Sequence, residues 1–180
     1  MTAIIALLAM VGAYLGALQI FGNFQEVLPG EYYRSAQVTP GRLAEYQEAV
    51  GIRSVVNLRG QNRGSSWYDE ELKASERLGI AHFDFRMSAS RPFSKEQALE
   101  LLALLRSVPK PVLIHCQGGA DRSGLASALY LAAITRADEP VAERQISIRY
   151  GHIGIPYLSA TYAMDESWET LEPWLGFGDS

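Results

Sequence analysis

Cysteine occurs once in these 180 residues, as Cys116, so the chain can form no internal disulfide and no intramolecular thiol relay. Lysine and arginine are absent before Arg34, and acidic residues are absent before Glu26. No basic block occurs anywhere, and 16 Lys and Arg against 20 Asp and Glu leave a net charge of -4, which excludes the footprint of a nucleic-acid binder. Histidine is scarce. His82, His115 and His152 are scattered with no ligand cluster around them, so neither a metal nor another cofactor is implied. Repeats and low-complexity tracts are missing too. The composition is 48% apolar and 20% charged, which suits one domain with a real core.

Against this background, the stretch His115-Cys116-Gln117-Gly118-Gly119-Ala120-Asp121-Arg122-Ser123 stands out. It follows the apolar run Pro111-Val112-Leu113-Ile114, which reads as a short buried strand, and precedes Gly124 to Leu131, which reads as a helix. A strand, a loop and a helix in that order aim loop amides and a helix N-terminus at one point, which suits a tetrahedral anion. Gly118 and Gly119 let the backbone bend around such a ligand without a Cβ clash. The same field favours a nucleophilic thiolate at Cys116. Arg122 supplies a planar fork for two phosphate oxygens, which a lysine cannot match. Ser123 stands where its hydroxyl can donate to the sulfur.

This pattern resembles the cysteine-dependent phosphatase superfamily, whose loop runs His-Cys, five residues, Arg, then Ser or Thr. Within it the chain is most similar to the dual-specificity and tyrosine phosphatase-like branch, in its bacterial or atypical forms. The similarity extends from about residue 23 to about residue 134 and includes Tyr33-Arg34-Ser35-Ala36-Gln37 and Val55-Val56-Asn57-Leu58-Arg59. It implies a metal-independent phosphomonoester hydrolase working through a phosphocysteine. Carried over residue by residue, it makes Cys116 the nucleophile, residues 117–122 the phosphate binder and Arg122 its guanidinium. Ser123 becomes the helper in the second step, and His115 a residue that tunes the thiolate.

The general acid has two candidates. Relatives commonly keep an Asp on a separate loop about thirty residues before the cysteine, a position that falls near Met87 here. The only Asp in that region is Asp84, which sits between Phe83 and Phe85 in an alternating stretch and reads as a strand residue. Asp121, immediately before Arg122, has the placement seen in phosphoinositide-directed branches such as the myotubularin-like and Sac-type enzymes. Asp121 is therefore the expected acid. The competing reading has it merely order the loop through backbone hydrogen bonds.

From Ala3 to Phe21 there is no charge, and 19 helical residues at 1.5 Å each reach roughly 28 Å, close to the ~30 Å hydrocarbon core of a bilayer. A basic n-region and a small-x-small cleavage site are both missing, which favours an uncleaved single-pass anchor over a cleaved signal. The expected division is 1–22 membrane anchor and 23–180 catalytic domain. Given the bacterial resemblance, the expected location is an inner membrane, with the side left open by the sparse flanking charge. Gly12 and Gly16 form a GxxxG that would permit a homodimer, although chance in an Ala/Gly-rich segment is the better explanation.

The remaining pattern predicts an α/β fold with a mostly parallel central sheet flanked by helices. Strands are expected at 32–34, 53–58 and 80–85, before the active-site strand. Thr39 and Pro40 open a helix that Gly51 ends, Ser66 with Asp69 suggests a capping box, and Ser94 with Gln97 suggests another. Residues 140–150 and 156–174 look helical. Residues 151–156, including His152, read as a connector with no chemical role. Arg59 and Arg63 should lie near the cysteine loop, as should Arg86 and Arg91, where they would bind a second phosphate or simply be solvated. Two substrate classes stay open, phosphorylated protein and phospholipid or inositol phosphate. A phosphate-binding module without turnover is the alternative of another kind.

Overall fold

A computed structural model describes residues 2–178. Helix α1 spans Thr2–Ile20 and none of its residues is buried. By length and apolarity (mean hydropathy 2.1) it is the one helix among the described residues able to cross a membrane. A short turn leads into strand β1 (Gln25–Leu28) and its hairpin partner β2 (Tyr32–Ser35). Alternation of helix and strand follows: α2 (Pro40–Val50), β3 (Ser54–Asn57), α3 (Ser66–Leu78), β4 (Ala81–Asp84), α4 (Lys95–Ser107), β5 (Val112–His115) and α5 (Asp121–Tyr130). The short α6 (Glu139–Glu143) and the longer α7 (Ala163–Leu175) complete the chain.

The sheet order is β1-β2-β5-β3-β4, antiparallel only between β1 and β2. β2, β3 and β5 are buried along their whole length. This is why β3 and β5 read as continuous apolar runs rather than alternating ones. Successive side chains leave on opposite faces and build two cores. Tyr32, Val56 and Ile114 pack with Leu101, Leu125 and Trp168 on the face covered by α4, α5 and α7. Tyr33, Val55 and Leu113 pack with Leu43, Tyr46 and Ala74 on the face covered by α2 and α3.

Local signals hold where the capping chemistry is strong. Thr39 caps α2 with Pro40 behind it, and Gly51 closes the helix in the left-handed region at φ 71°. Ser94 and Gln97 form the full capping box of α4. Ser66 does not cap α3: the helix starts there, after Ser65, and the Asp69 carboxylate takes the Gly64 amide. Toward the C-terminus the helical reading is too generous. Residues 140–150 give only α6 and a single tight turn at Ile148–Tyr150. Beyond it α7 begins at Ala163 rather than Pro156, since Tyr157 adopts φ 64° and breaks the run.

Register sets the position of the site. Ser35 pairs with His115, His115 with Asn57, and Asn57 with Asp84, so the last residues of four parallel strands form one row. Above such a row of carboxyl ends, where α/β proteins bind ligands, lies the loop between β5 and α5.

Candidate active site

The loop 116–120 is held open from outside by its own carbonyls. Gln117 O accepts from Gln37 N at 3.1 Å. Gly118 O accepts from Gln19 Nε2 and Asn23 Nδ2, both at 3.1 Å. Arg34 Nη2 donates to Gly119 O at 3.0 Å and Ala120 O at 2.8 Å. In a planar trans peptide the N–H points opposite the C=O. Four successive carbonyls tied outward therefore turn the amides of residues 118–121 the other way, which is the concave array that binds an anion. Gly119, at φ 69°, is indispensable to this turn, because a Cβ there would come within 2.5 Å of Ala36 N and 2.6 Å of Ser35 C.

Cys116 lies at the start of the array, 1% exposed, with its Sγ 3.6 Å from Ser123 Oγ, a distance at which the hydroxyl can donate to sulfur. Arg122, in the first turn of α5, is fixed at one tip by Met87 O, which accepts from Nη1 at 3.4 Å. Its Nε is buried and has no hydrogen-bond partner among the described residues. Buried donors are rarely left unbonded, so this nitrogen marks a place for an anionic oxygen.

Two layers lie beneath the loop, and neither was legible as functional from sequence. The first is Arg34, wholly buried on β2. Besides the two loop carbonyls it donates to Gln145 O at 2.8 Å and Gln145 Oε1 at 3.0 Å, and it stacks over Tyr150 at 4.5 Å. Burial pulls its pKa down to about 10, against the opposing pull of Cys116 and, more weakly, Asp121. It is thus a second guanidinium acting on the site from behind. It stood inside the segment that matches the phosphatase pattern, and the signal was a charge in a strand otherwise made for burial.

The second layer is Glu71 of α3, 0% exposed. Its Oε1 accepts from His82 Nε2 at 2.8 Å and His115 Nε2 at 2.9 Å, and its Oε2 accepts from Gln37 Nε2. Burial would raise this carboxyl's pKa, but the two imidazoles reverse that and hold it down to about 2. His115 is thereby oriented by a carboxylate one shell behind Cys116. The sequence signal was present: Glu71 sits on the buried face of α3 with Tyr68, Ala74 and Ser75, at helical spacing.

Asp84 is anchored rather than poised. Asn57 Nδ2 donates to its Oδ1 at 2.9 Å and the Tyr68 hydroxyl to its Oδ2, so both oxygens serve to close the end of β4. Arg59 does reach the site. Its Nη1 donates to Gln37 Oε1 at 2.8 Å and it stacks on Trp67 at 3.6 Å. Burial and then the Arg122 charge lower its pKa, with Cys116 and Glu71 acting against them. Arg63 is exposed in the neighbouring loop, and no hydrogen bond joins it to the site among the described residues. Arg86 donates to Gln61 O at 2.7 Å, and together with Arg91, Ser88 and Phe93 it lines a cavity of about 440 Å³. Asp121 Oδ1 lies 2.8 Å from Nδ1 of His152, a residue the sequence reading left as part of a connector.

Comparisons with known proteins agree with this architecture. Residues 25–165 match the family described as PTP-SAK: Swiss Army Knife protein, DSP-PTPase phosphatase domain. No curated protein matches the chain. Among solved structures, P. aeruginosa TpbA is 20% identical with a TM-score of 0.64, over 83% of this chain and 84% of that one. A serine variant of TpbA in complex with pTyr is 19% identical, TM-score 0.60, over 86% and 96%. The core catalytic domain of the PP-IP phosphatase SIW14 from S. cerevisiae, in complex with citrate, is 18% identical, TM-score 0.61, over 79% and 83%. At these identities the likeness concerns the fold.

Proposed function

The chain belongs to the DSP-PTPase phosphatase domain family of Swiss Army Knife proteins and is a cysteine-dependent phosphatase, and from that premise we propose how its residues divide the work. Cys116 Sγ attacks phosphorus in line. The amides of residues 118–121 and the Arg122 guanidinium bind the three equatorial oxygens, over which the charge is spread in the transition state. Asp121 gives a proton to the leaving oxygen. Water then attacks the phosphocysteine, and the Ser123 hydroxyl stabilises the departing sulfur. His115, set by Glu71, and Arg34, beneath the loop, keep this arrangement in place before substrate arrives. The observation that carries the reading is the outward tying of four loop carbonyls around a buried, unpartnered Arg122 Nε.

A panel of p-nitrophenyl phosphate, phosphotyrosyl peptides and phosphoinositides, run with chelator present, tests it. The wild-type chain should turn over at least one of them without added metal, and Cys116→Ser should reduce that turnover to background. Equal rates for the two proteins would reduce the chain to a phosphate-binding module.

One observation favours a membrane-borne lipid phosphate over a protein substrate. Helix α1, read as a bilayer anchor, lays its C-terminal part against the domain: Gln19 donates to Gly118 O of the catalytic loop, and the Tyr14 hydroxyl donates to Arg149 O of the turn at Ile148–Tyr150. With α1 in a bilayer, the loop sits at the lipid surface, within reach of headgroups. The full chain in vesicles should then show a higher kcat/KM for a phosphoinositide in the same vesicles than for its water-soluble headgroup. A preference for phosphopeptide over both would return the protein-substrate reading.

A further inference from the structure

His152 follows the turn at Ile148–Tyr150 and is only 3% exposed. Each of its ring nitrogens faces a carboxylate: Nδ1 lies 2.8 Å from Asp121 Oδ1, and Nε2 lies 2.9 Å from Asp165 Oδ2. Carboxylates only accept, and a neutral imidazole has one N–H. Two such bonds therefore require one more proton than a neutral ring and two ionised carboxylates possess. Either the ring is an imidazolium, or one carboxyl is protonated and donates to it. The cluster holds an exchangeable proton directly beside the residue that precedes Arg122.

The surroundings are built for this contact. Asp165 projects from the first turn of α7. Gly154 crosses directly over its carboxylate, where any Cβ would collide with the carboxylate oxygens. The charged groups around His152 are Asp121 from α5 and Asp165 from α7. Behind Asp165, Glu143 of α6 and Glu169 of α7 line a small cavity with it, while Arg34 of β2 acts on Asp121. Burial alone would lower the His152 pKa, but the bonds to Asp121 and Asp165 raise it above the ordinary 6.5.

We propose that His152, oriented by Asp165, is the positioning residue that keeps Asp121 supplied with the proton it donates. This rests on the reading of Asp121 as the acid. A phosphate dianion docking beside Asp121 disfavours a second ionised neighbour and draws the shared proton from Nδ1 onto the carboxylate. As the S–P bond forms and the ester P–O bond breaks, that proton leaves on the alkoxide oxygen as alcohol, and the cluster is one proton poorer. In the second step the oxygen of water bonds to phosphorus and the S–P electron pair returns to sulfur. One proton of that water refills the position between Oδ1 and Nδ1.

The test compares His152→Asn, Asp165→Asn and Asp121→Asn in the full chain, on an alkyl phosphate and on p-nitrophenyl phosphate, whose phenolate departs with little need of a proton. On the alkyl ester His152→Asn should lower kcat by about 10²-fold or more, as loss of a general acid does, with a much smaller change in KM. Its loss on p-nitrophenyl phosphate should be clearly smaller, and the basic limb of its kcat profile should move to lower pH. Asp165→Asn should follow in the same direction with a smaller loss, and as a partly exposed site it carries the test if His152→Asn fails to fold. Equal losses on both esters with an unmoved basic limb would make His152 a packing residue and overturn the proposal. A severe Asp121→Asn beside an intact His152→Asn would overturn it while leaving the acid assignment standing. Undiminished alkyl turnover by Asp121→Asn would remove both.

Discussion

Arg122→Ala is expected to lower kcat/KM by about 10⁴-fold or more, because a single donor to a developing oxyanion is worth roughly 10²–10³ and the guanidinium offers two. The effect should fall on kcat as well as KM, since the planar guanidinium fits the equatorial oxygens of the transition state better than those of the tetrahedral ground state. Stability should move the other way or not at all. Among the described residues Nε has no partner and Nη1 reaches only Met87 O at 3.4 Å, so without substrate the side chain gives the protein little in return for its desolvation. Arg122→Lys should recover only part of the loss, because a point charge cannot occupy both oxygens in plane. Steady-state kinetics on p-nitrophenyl phosphate, with thermal melts of each variant, measure both quantities. A loss below tenfold would mean that another cation, such as Arg59, carries the phosphate.

The second large effect is on the fold beneath the loop. Glu71→Ala leaves the buried donors of His82, His115 and Gln37 facing nothing, and breaking a buried charged network of this kind costs about 3–5 kcal/mol. The pH dependence follows from the lowered pKa of Glu71. Its folded value of about 2 lies below the ordinary 4.5, so its contribution is fully present above 4.5 and is lost as pH falls toward 2. Wild type should therefore lose stability on acidification through that window. Glu71→Gln should already be destabilised at neutral pH and show a flatter acid limb. Denaturant titrations between pH 2 and 7 check this, and parallel acid limbs would mean that Glu71 is not the group responsible. Activity of Glu71→Gln should fall as well, through the misorientation of His115 next to Cys116.

The contrast between the loop and its supports explains what the sequence could convey. The loop's chemistry is contiguous: Cys116, the glycine pair, Asp121, Arg122 and Ser123 fall within eight positions, and the strand before them and helix after them are written in short-range periodicity. β3, β4 and β5 are legible for the same reason, as are the caps Thr39, Gly51 and Ser94. Arg34, Glu71 and His152 are not, because each acts through a partner between 31 and 111 positions away. Nothing in the local pattern of a strand, a helix or a connector says which distant carbonyl or carboxylate it will meet. β1 was missed because half-exposed Gln25 and Glu26 carry little strand signal outside the hairpin. The late start of α7 escaped because the exposed, left-handed Tyr157 lies in a turn closed by bonds from Leu158 N and Ser159 N to Ile155 O, which a tyrosine's local propensity does not signal.

The junction between α1 and the domain has a mechanical consequence. Only residues 21–24 separate the helix from β1, and they are no slack linker. Phe24 stacks on Tyr46 at 4.0 Å, Asn23 donates to Gly118 O and to Tyr150 O, and Arg42 donates to Ile20 O. An enzyme on a long flexible leash sweeps a hemisphere whose radius grows with the leash. This one has no leash. If α1 is the bilayer anchor proposed above, the enzyme's mouth is held near one height and explores only two dimensions, so for a substrate in the same lipid sheet the encounter rate is set by lateral diffusion and surface density rather than by bulk concentration.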